Sequence, residues 1–296
     1  MNDYLLALLL GIVEGVTEFL PVSSTAHLRI SEALLGVDLS NGYWKMFSIV
    51  IQLGAILCLP IYFRRRIAEF LSTFPHGADN RRSFIEHPVT LTLVAFVCTA
   101  GPAFLLTKII GKHLESLFIM TTSLIVGGVV MWVVDVLYDR RREIFISLGH
   151  RTDAMEHMTL PQAIWIGLCQ ILSAVFPGTS RSMATIAAGQ IAGMSRAAAL
   201  EFSFFLSIPT MVAATGYDLL KSLRHRPGAA GEIGIAPANL HEWIVLIIGF
   251  VISFIVAYVV VAWFMRWVRQ RGFVPFAVYR ILLGAAVLVW ALKSVS

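Results

Sequence analysis

Six separate stretches of this chain are apolar over the roughly 17–25 residues that a helix needs to cross a bilayer. They lie near residues 47–63, 89–107, 117–138, 198–220, 243–265 and 274–292. Composition removes the soluble alternative: of 296 residues 57% are hydrophobic and 14% charged, with mean hydropathy +0.78. A soluble fold this apolar lacks the polar surface to cover itself. The net charge of +5 is loop bias rather than a nucleic-acid footprint, because Lys and Arg gather between the apolar runs. No nucleic-acid partner is expected; the partner is the lipid bilayer. The start Met1-Asn2-Asp3 has no basic region, and Glu14 and Glu18 interrupt the apolar stretch after it, so a cleaved signal peptide is not expected. Cys58, Cys98 and Cys169 sit inside apolar runs without pairing or ligand spacing and read as packing residues.

Two further apolar regions, residues 4–35 and 162–194, do not read as simple spans. Each is interrupted near its middle, by Pro21-Val22-Ser23-Ser24-Thr25 and by Pro177-Gly178-Thr179-Ser180-Arg181-Ser182. Broken helices at membrane depth persist only where protein buries them or they line a watery cavity. Both regions are therefore predicted to be re-entrant helix–break–helix hairpins.

The two regions also resemble each other. At one constant offset, Gly11 falls on Gly167, Glu14 on Gln170, Pro21 on Pro177 and Ser24 on Ser180. Downstream, Phe47-Ser48 resembles Phe202-Ser203, and Gly127 in Leu124-Ile125-Val126-Gly127 resembles Gly284 in Ile281-Leu282-Leu283-Gly284. The expected fold is an all-α polytopic membrane protein, one integral domain over residues 1–296. It is built from two repeats, about 1–150 and about 155–296, each with one re-entrant hairpin and three transmembrane helices. An odd number of spans per repeat makes the repeats inverted, with a site near the midplane. Arg64, Arg65, Arg66, Arg81 and Arg82, then Arg140, Arg141, Arg142 and Arg151, then Arg266, Arg269 and Arg271 follow alternate spans, so that side is expected to be cytoplasmic. Lys221, Arg224 and Arg226 count against this, and both termini are expected outside.

Glu14 and Glu18 stand four apart and share a helix face, where two like charges near lipid call for a divalent cation, a shared proton or a nearby cation. Gly11 and Gly15 have the same spacing and let another helix approach closely. After Pro21 the helix restarts, and Ser23, Ser24 and Thr25 supply either simple N-caps or an anion site at a helix N-terminus. His27 follows as a base or nucleophile. In the second hairpin Arg181 needs an anionic partner, whether Glu14, Glu18 or a phosphate amid Thr179, Ser180, Ser182 and Thr185. Acids, hydroxyls, histidine, arginine and two helix N-termini suit phosphoryl transfer, and no Walker-A glycine–lysine signature points to nucleotide-driven pumping.

The segments Glu14-Gly15-Val16-Thr17-Glu18-Phe19-Leu20-Pro21-Val22-Ser23-Ser24-Thr25-Ala26-His27 and Pro177-Gly178-Thr179-Ser180-Arg181-Ser182-Met183-Ala184-Thr185 closely resemble the two signatures of the bacterial undecaprenyl-diphosphate phosphatases, or bacitracin-resistance proteins. Glu201-Phe202-Ser203 and Gln52-Leu53-Gly54 also look like family segments, and Ala26 stands where glycine is common. The resemblance implies a multi-pass bacterial inner-membrane hydrolase, its active site open to the periplasm. It would convert undecaprenyl diphosphate to the monophosphate, recycling the carrier for peptidoglycan synthesis and conferring bacitracin resistance. It also implies dependence on a divalent cation (Mg2+ or Ca2+), with Glu14 and Glu18 binding the metal or acting in acid–base catalysis. Ser24 would be the nucleophile with His27 as its base and later acid; attack by His27 itself or by a metal-activated water stays open. Arg181 would hold the diphosphate with Ser23, Thr25, Gly178, Thr179, Ser180, Ser182 and Thr185. The rival class is an inverted-repeat transporter or lipid flippase. A structural scaffold leaves Glu14, Glu18 and Arg181 unexplained, and homodimerisation is left open.

Overall fold

The structure is a computed structural model, which describes residues 2–37, 42–77, 83–106, 116–147, 151–224 and 237–295. Thr107, Arg81, Arg82 and Arg226, which the sequence reading used, lie outside the described residues. Among those described, the regular structure is helical, with eleven α-helices. These are α1 (Asp3–Thr17), α2 (Ser24–Leu34), α3 (Gly42–Tyr62), α4 (Arg64–Ser72), α5 (Pro88–Leu105), α6 (Leu117–Ser147), α7 (Leu160–Val175), α8 (Arg181–Ile191), α9 (Arg196–Arg224), α10 (Leu240–Gln270) and α11 (Val274–Val295).

Six helices are long and apolar enough to cross a membrane: Gly42–Tyr62, Pro88–Leu105, Leu117–Tyr138, Arg196–Leu220, Leu240–Val268 and Val274–Lys293. Each overlaps one of the six stretches expected from sequence. Large apolar side chains such as Phe118, Val259 and Leu282 are exposed on them, as lipid-facing positions require. The chain is a multi-pass membrane protein. The two broken regions appear as helix pairs, α1 with α2 and α7 with α8, and the members of each pair pack together. Their 15, 11, 16 and 11 residues are too few to span alone, since about 1.5 Å per residue falls short of a core about 30 Å thick.

Two compact units emerge. The first comprises Met1–Phe19, Ser24–Tyr62 and Ser207–Ala262; the second comprises Leu20–Ser23, Phe63–Leu206 and Trp263–Ser296. In the first, glycines bring helices close: a Cβ on Gly11 would lie 2.8 Å from the Gly249 carbonyl, and one on Gly15 would lie 2.7 Å from that of Ser253. The close approach expected of Gly11 and Gly15 is thus made to α10. Ala7, Leu10, Phe47, Ile51 and Val245 close the core beside it.

In the second unit, α6 and α11 pack through Gly127, Gly128 and Gly284, where an added Cβ would strike the facing helix. α5 meets α7 at Gly167, whose carbonyl accepts a hydrogen bond from Thr99 at 2.7 Å. Two ionic knots tie segments of this unit together. Buried Asp135 pairs with Arg196 at 2.8 Å and accepts from Gln190 and from the Phe273 amide. Arg66 joins Glu201, Glu69 and Glu156 and lies over the Phe70 ring.

Candidate active site

The first unit holds the carboxylates. One helical turn sets Glu14, on α1, and Glu18, the residue that caps its end, on the same face, both buried. Two carboxyl groups buried side by side call for a shared proton or a cation between them. Glu14 Oε1 is buried with no hydrogen-bond partner among the described residues. This is an oxygen-rich donor set with spare capacity, and it fits a hard divalent cation that completes its shell with water and phosphate oxygens. Among the described residues no group of three His, Cys, Asp or Glu converges to hold an ion unaided.

Ser24 opens α2, and its Oγ donates to Glu18 Oε2 at 2.6 Å. A carboxylate thus stands against the expected nucleophile at charge-assisted hydrogen-bond distance. His27 follows one turn later on α2 and is half-buried, while Thr25 is exposed. Sequence reasoning missed Glu32, which is 1% exposed on the same helix. It pairs with Arg29 at 3.3 Å and accepts from Ser48 at 2.8 Å. The rule that singled out Glu14 and Glu18, an acid inside an apolar hairpin, would have found it.

The second unit holds both breaks, because Leu20–Ser23 belongs to it together with residues 176–180. Ser182 Oγ donates to the Leu20 carbonyl at 3.0 Å, and so joins them directly. That spends the single Ser182 proton, so Ser180 Oγ donates to Ser182 Oγ at 3.0 Å. Arg280 of α11, 0% exposed, donates through Nη1 to the Pro21 carbonyl and through Nη2 to the Gly178 carbonyl, both at 3.0 Å. Nη2 also reaches the Ser123 carbonyl at 3.2 Å. The sequence signal for Arg280 was a lone arginine inside the last apolar run, and it went unused.

Each break ends in a left-handed serine, Ser23 at φ 74° and Ser180 at φ 70°, and a helix starts at the next residue. The sequence offset pairs Ser24 with Ser180, whereas the restart geometry pairs Ser23 with Ser180, one residue out of register. Left-handed backbone costs a serine about 1–2 kcal/mol, which glycine avoids at Gly178, φ 94°. Ser180 caps α8 by accepting from the Met183 amide. Arg181, the first residue of α8, is half-buried. Thr185 is fully buried and bonded to the Arg181 and Ser182 carbonyls and to Ser203.

Thr179 also lines an apolar cleft of about 400 Å3 between α6, α7 and α8. Val126, Val130, Leu172, Met183 and Ile191 are among its lining side chains. Its volume is that of a small-molecule site, and Thr122, Ser123 and Thr179 are the hydroxyl residues in an otherwise largely apolar lining.

Residues 7–286 match the family described as bacitracin resistance protein BacA. An undecaprenyl-diphosphatase of Koribacter versatilis (strain Ellin345) is 68% identical over 99% of this chain and 100% of its own length. Those of Caldanaerobacter subterraneus subsp. tengcongensis and Persephonella marina are 39% and 38% identical, over 95% and 97% of this chain and 94% and 98% of their own lengths. With both signature hairpins folded as paired short helices and the likeness sustained from end to end, the chain belongs to the bacitracin resistance protein BacA family.

Proposed function

We propose that this chain is an undecaprenyl-diphosphate phosphatase of the bacterial inner membrane, releasing phosphate from the C55 carrier diphosphate and returning undecaprenyl phosphate to peptidoglycan synthesis. The similar proteins carry that activity in their names. The observation that carries the mechanism is the 2.6 Å hydrogen bond from Ser24 Oγ to Glu18 Oε2.

Ser24 Oγ attacks the terminal phosphorus while Glu18 takes its proton. The bond from that phosphorus to the bridging oxygen breaks, and undecaprenyl phosphate leaves with the electron pair. Water then attacks the phosphoserine while His27 takes its proton, the bond from phosphorus to Ser24 Oγ breaks, Glu18 returns its proton to that oxygen, and inorganic phosphate departs. Arg181, Ser180 and the start of α8 hold the diphosphate charge; a guanidinium fork and a helix N-terminus both suit phosphate oxygens. Glu14 and Glu18 are the residues that would hold Mg2+ or Ca2+, which when bound neutralises charge on the diphosphate. The isoprenoid tail leaves along the cleft that Thr179 lines.

The membrane arrangement belongs to the same proposal: inverted repeats, re-entrant hairpins and a site open to the periplasm. Support for the repeats comes from paired details. Gly127 and Gly284 both lie in the α6–α11 contact, and Ser48 and Ser203 each bond to the second helix of a hairpin. A transporter or flippase is less favoured, since translocation has no use for a hydroxyl held against a carboxylate.

The test is phosphate release from undecaprenyl diphosphate by the purified protein, with and without EDTA, beside Glu18→Gln, Ser24→Ala and Arg181→Ala. Release should fall at least about a hundredfold in each variant. Mass analysis of a quenched single turnover should find phosphate on Ser24. Full activity in Ser24→Ala would move the attack to another group, and no release by folded wild type would overturn the hydrolase reading.

A further inference from the structure

One buried guanidinium touches both hairpin breaks at the same place in each. Arg280 binds the carbonyl of Pro21, two residues before left-handed Ser23, and that of Gly178, two residues before left-handed Ser180. We propose that Arg280 is a positioning residue of the phosphatase site, fixing the two breaks against each other so that both helices restart in the geometry the reaction needs.

Several observations carry this. A cation in an apolar helix is costly and is retained where something depends on it. The hydrogen bonds of Arg280 run to the main-chain carbonyls of Pro21, Ser123 and Gly178, so it grips backbone whatever side chains those positions carry. Strained serines persist only where their surroundings over-determine them, and a clamp two residues upstream does that at Ser23 and Ser180 alike. The planar fork matters too, because an ammonium on a flexible stem does not hold carbonyls on three segments in fixed directions. Finally, the facing helix leaves room: at Gly127 an added Cβ would collide with Arg280 Nη2. Arg280 acts through the breaks, not on the substrate.

The proposal rests on the phosphatase reading, so wild-type phosphate release is measured first; its absence would count against that reading and not against Arg280. The variants are Arg280→Lys, Arg280→Gln and Gly127→Ala, purified in detergent, with melting temperature, kcat and KM measured on the folded fraction. Gly127→Ala keeps the arginine and displaces its fork, so it carries the test if the Arg280 variants do not fold. We expect kcat to fall at least about tenfold in the Arg280 variants and about threefold or more in Gly127→Ala, with KM within about threefold of wild type, as lost positioning requires. Either of two results overturns the assignment: kcat within about twofold of wild type in every folded variant, or a loss carried wholly by KM. The first leaves Arg280 a purely structural residue, and the second makes it a substrate ligand.

Discussion

The hydroxyls of Thr185 and Ser203 meet at 2.7 Å, and both residues are fully buried. Thr185 gives its own proton to the carbonyls that open α8, Arg181 at 3.0 Å and Ser182 at 3.2 Å, so Ser203 is the donor of the pair. This supports reading Thr185 as a strut under the first turn of α8, one step behind the Arg181 guanidinium. Thr185→Val should therefore leave the Ser203 proton unsatisfied and cost about 1–3 kcal/mol of stability, while Thr185→Ser stays near wild type. Thermal unfolding in detergent reads the difference. A rise in KM for Thr185→Val with no change in melting temperature would mean that the hydroxyl touches substrate instead.

A second prediction concerns the cation. Glu14 and Glu18, buried on one face with Glu14 Oε1 lacking a partner among the described residues, form a pair that a cation would relieve. Mg2+ or Ca2+ should then raise the melting temperature of the substrate-free protein. A ligand at about a hundred times its Kd adds about 2.7 kcal/mol. Glu14→Gln should abolish most of that shift without lowering the cation-free melting temperature, because it removes the like-charge repulsion. An equal cation shift in wild type and Glu14→Gln would locate the ion elsewhere.

How legible was this site before folding? The two signatures were readable because proline and clustered hydroxyls inside apolar runs are costly and therefore conspicuous, and all six spans followed from length and hydropathy alone. Glu14, Glu18 and Ser24 were legible from spacing: one helical turn sets the acids on a face, and the serine follows the break. The partner of Ser24 was not, because only the folded hairpin turns Glu18 toward it. Arg280 and Ser203 were hidden for a different reason. Each serves the site through a partner distant in the chain, Arg280 through the Gly178 backbone 102 positions away and Ser203 through the Thr185 hydroxyl 18 positions away, and local pattern carries no record of such contacts. The left-handed serines were invisible too, since serine seldom adopts that backbone and nothing in the motif flags it.

Glycine at position 15 should prove irreplaceable where glycine at 101 does not. A Cβ on Gly15 would lie 2.7 Å from both the Ser253 carbonyl and Val256 Cβ, and 3.0 Å from the Ala257 amide, so α1 would have to back away from α10. Gly15→Ala should cost about 1–3 kcal/mol by overpacking. It should also lower activity, because Glu14 and Glu18 ride on the displaced helix. Gly101→Ala in α5 meets nothing within 4 Å and should be neutral or stabilising by up to about 1 kcal/mol through helix propensity. Equal melting temperatures for the two variants would refute the close approach.

The cleft at Thr179 makes the last prediction, which separates tail from headgroup. Leu172 and Val130 are exposed and line it, so tryptophan at either position narrows the cleft without disturbing buried packing. If the isoprenoid tail lies there, Leu172→Trp and Val130→Trp should raise KM for undecaprenyl diphosphate by about tenfold, the scale of one lost apolar contact region. Isopentenyl diphosphate has the same headgroup and almost no tail, so its kcat/KM should stay within about twofold of wild type. A matching loss on both substrates would mean that the tryptophans distort the break at Thr179. No change on either would leave the cleft to bilayer lipid and send the tail along another face of the protein.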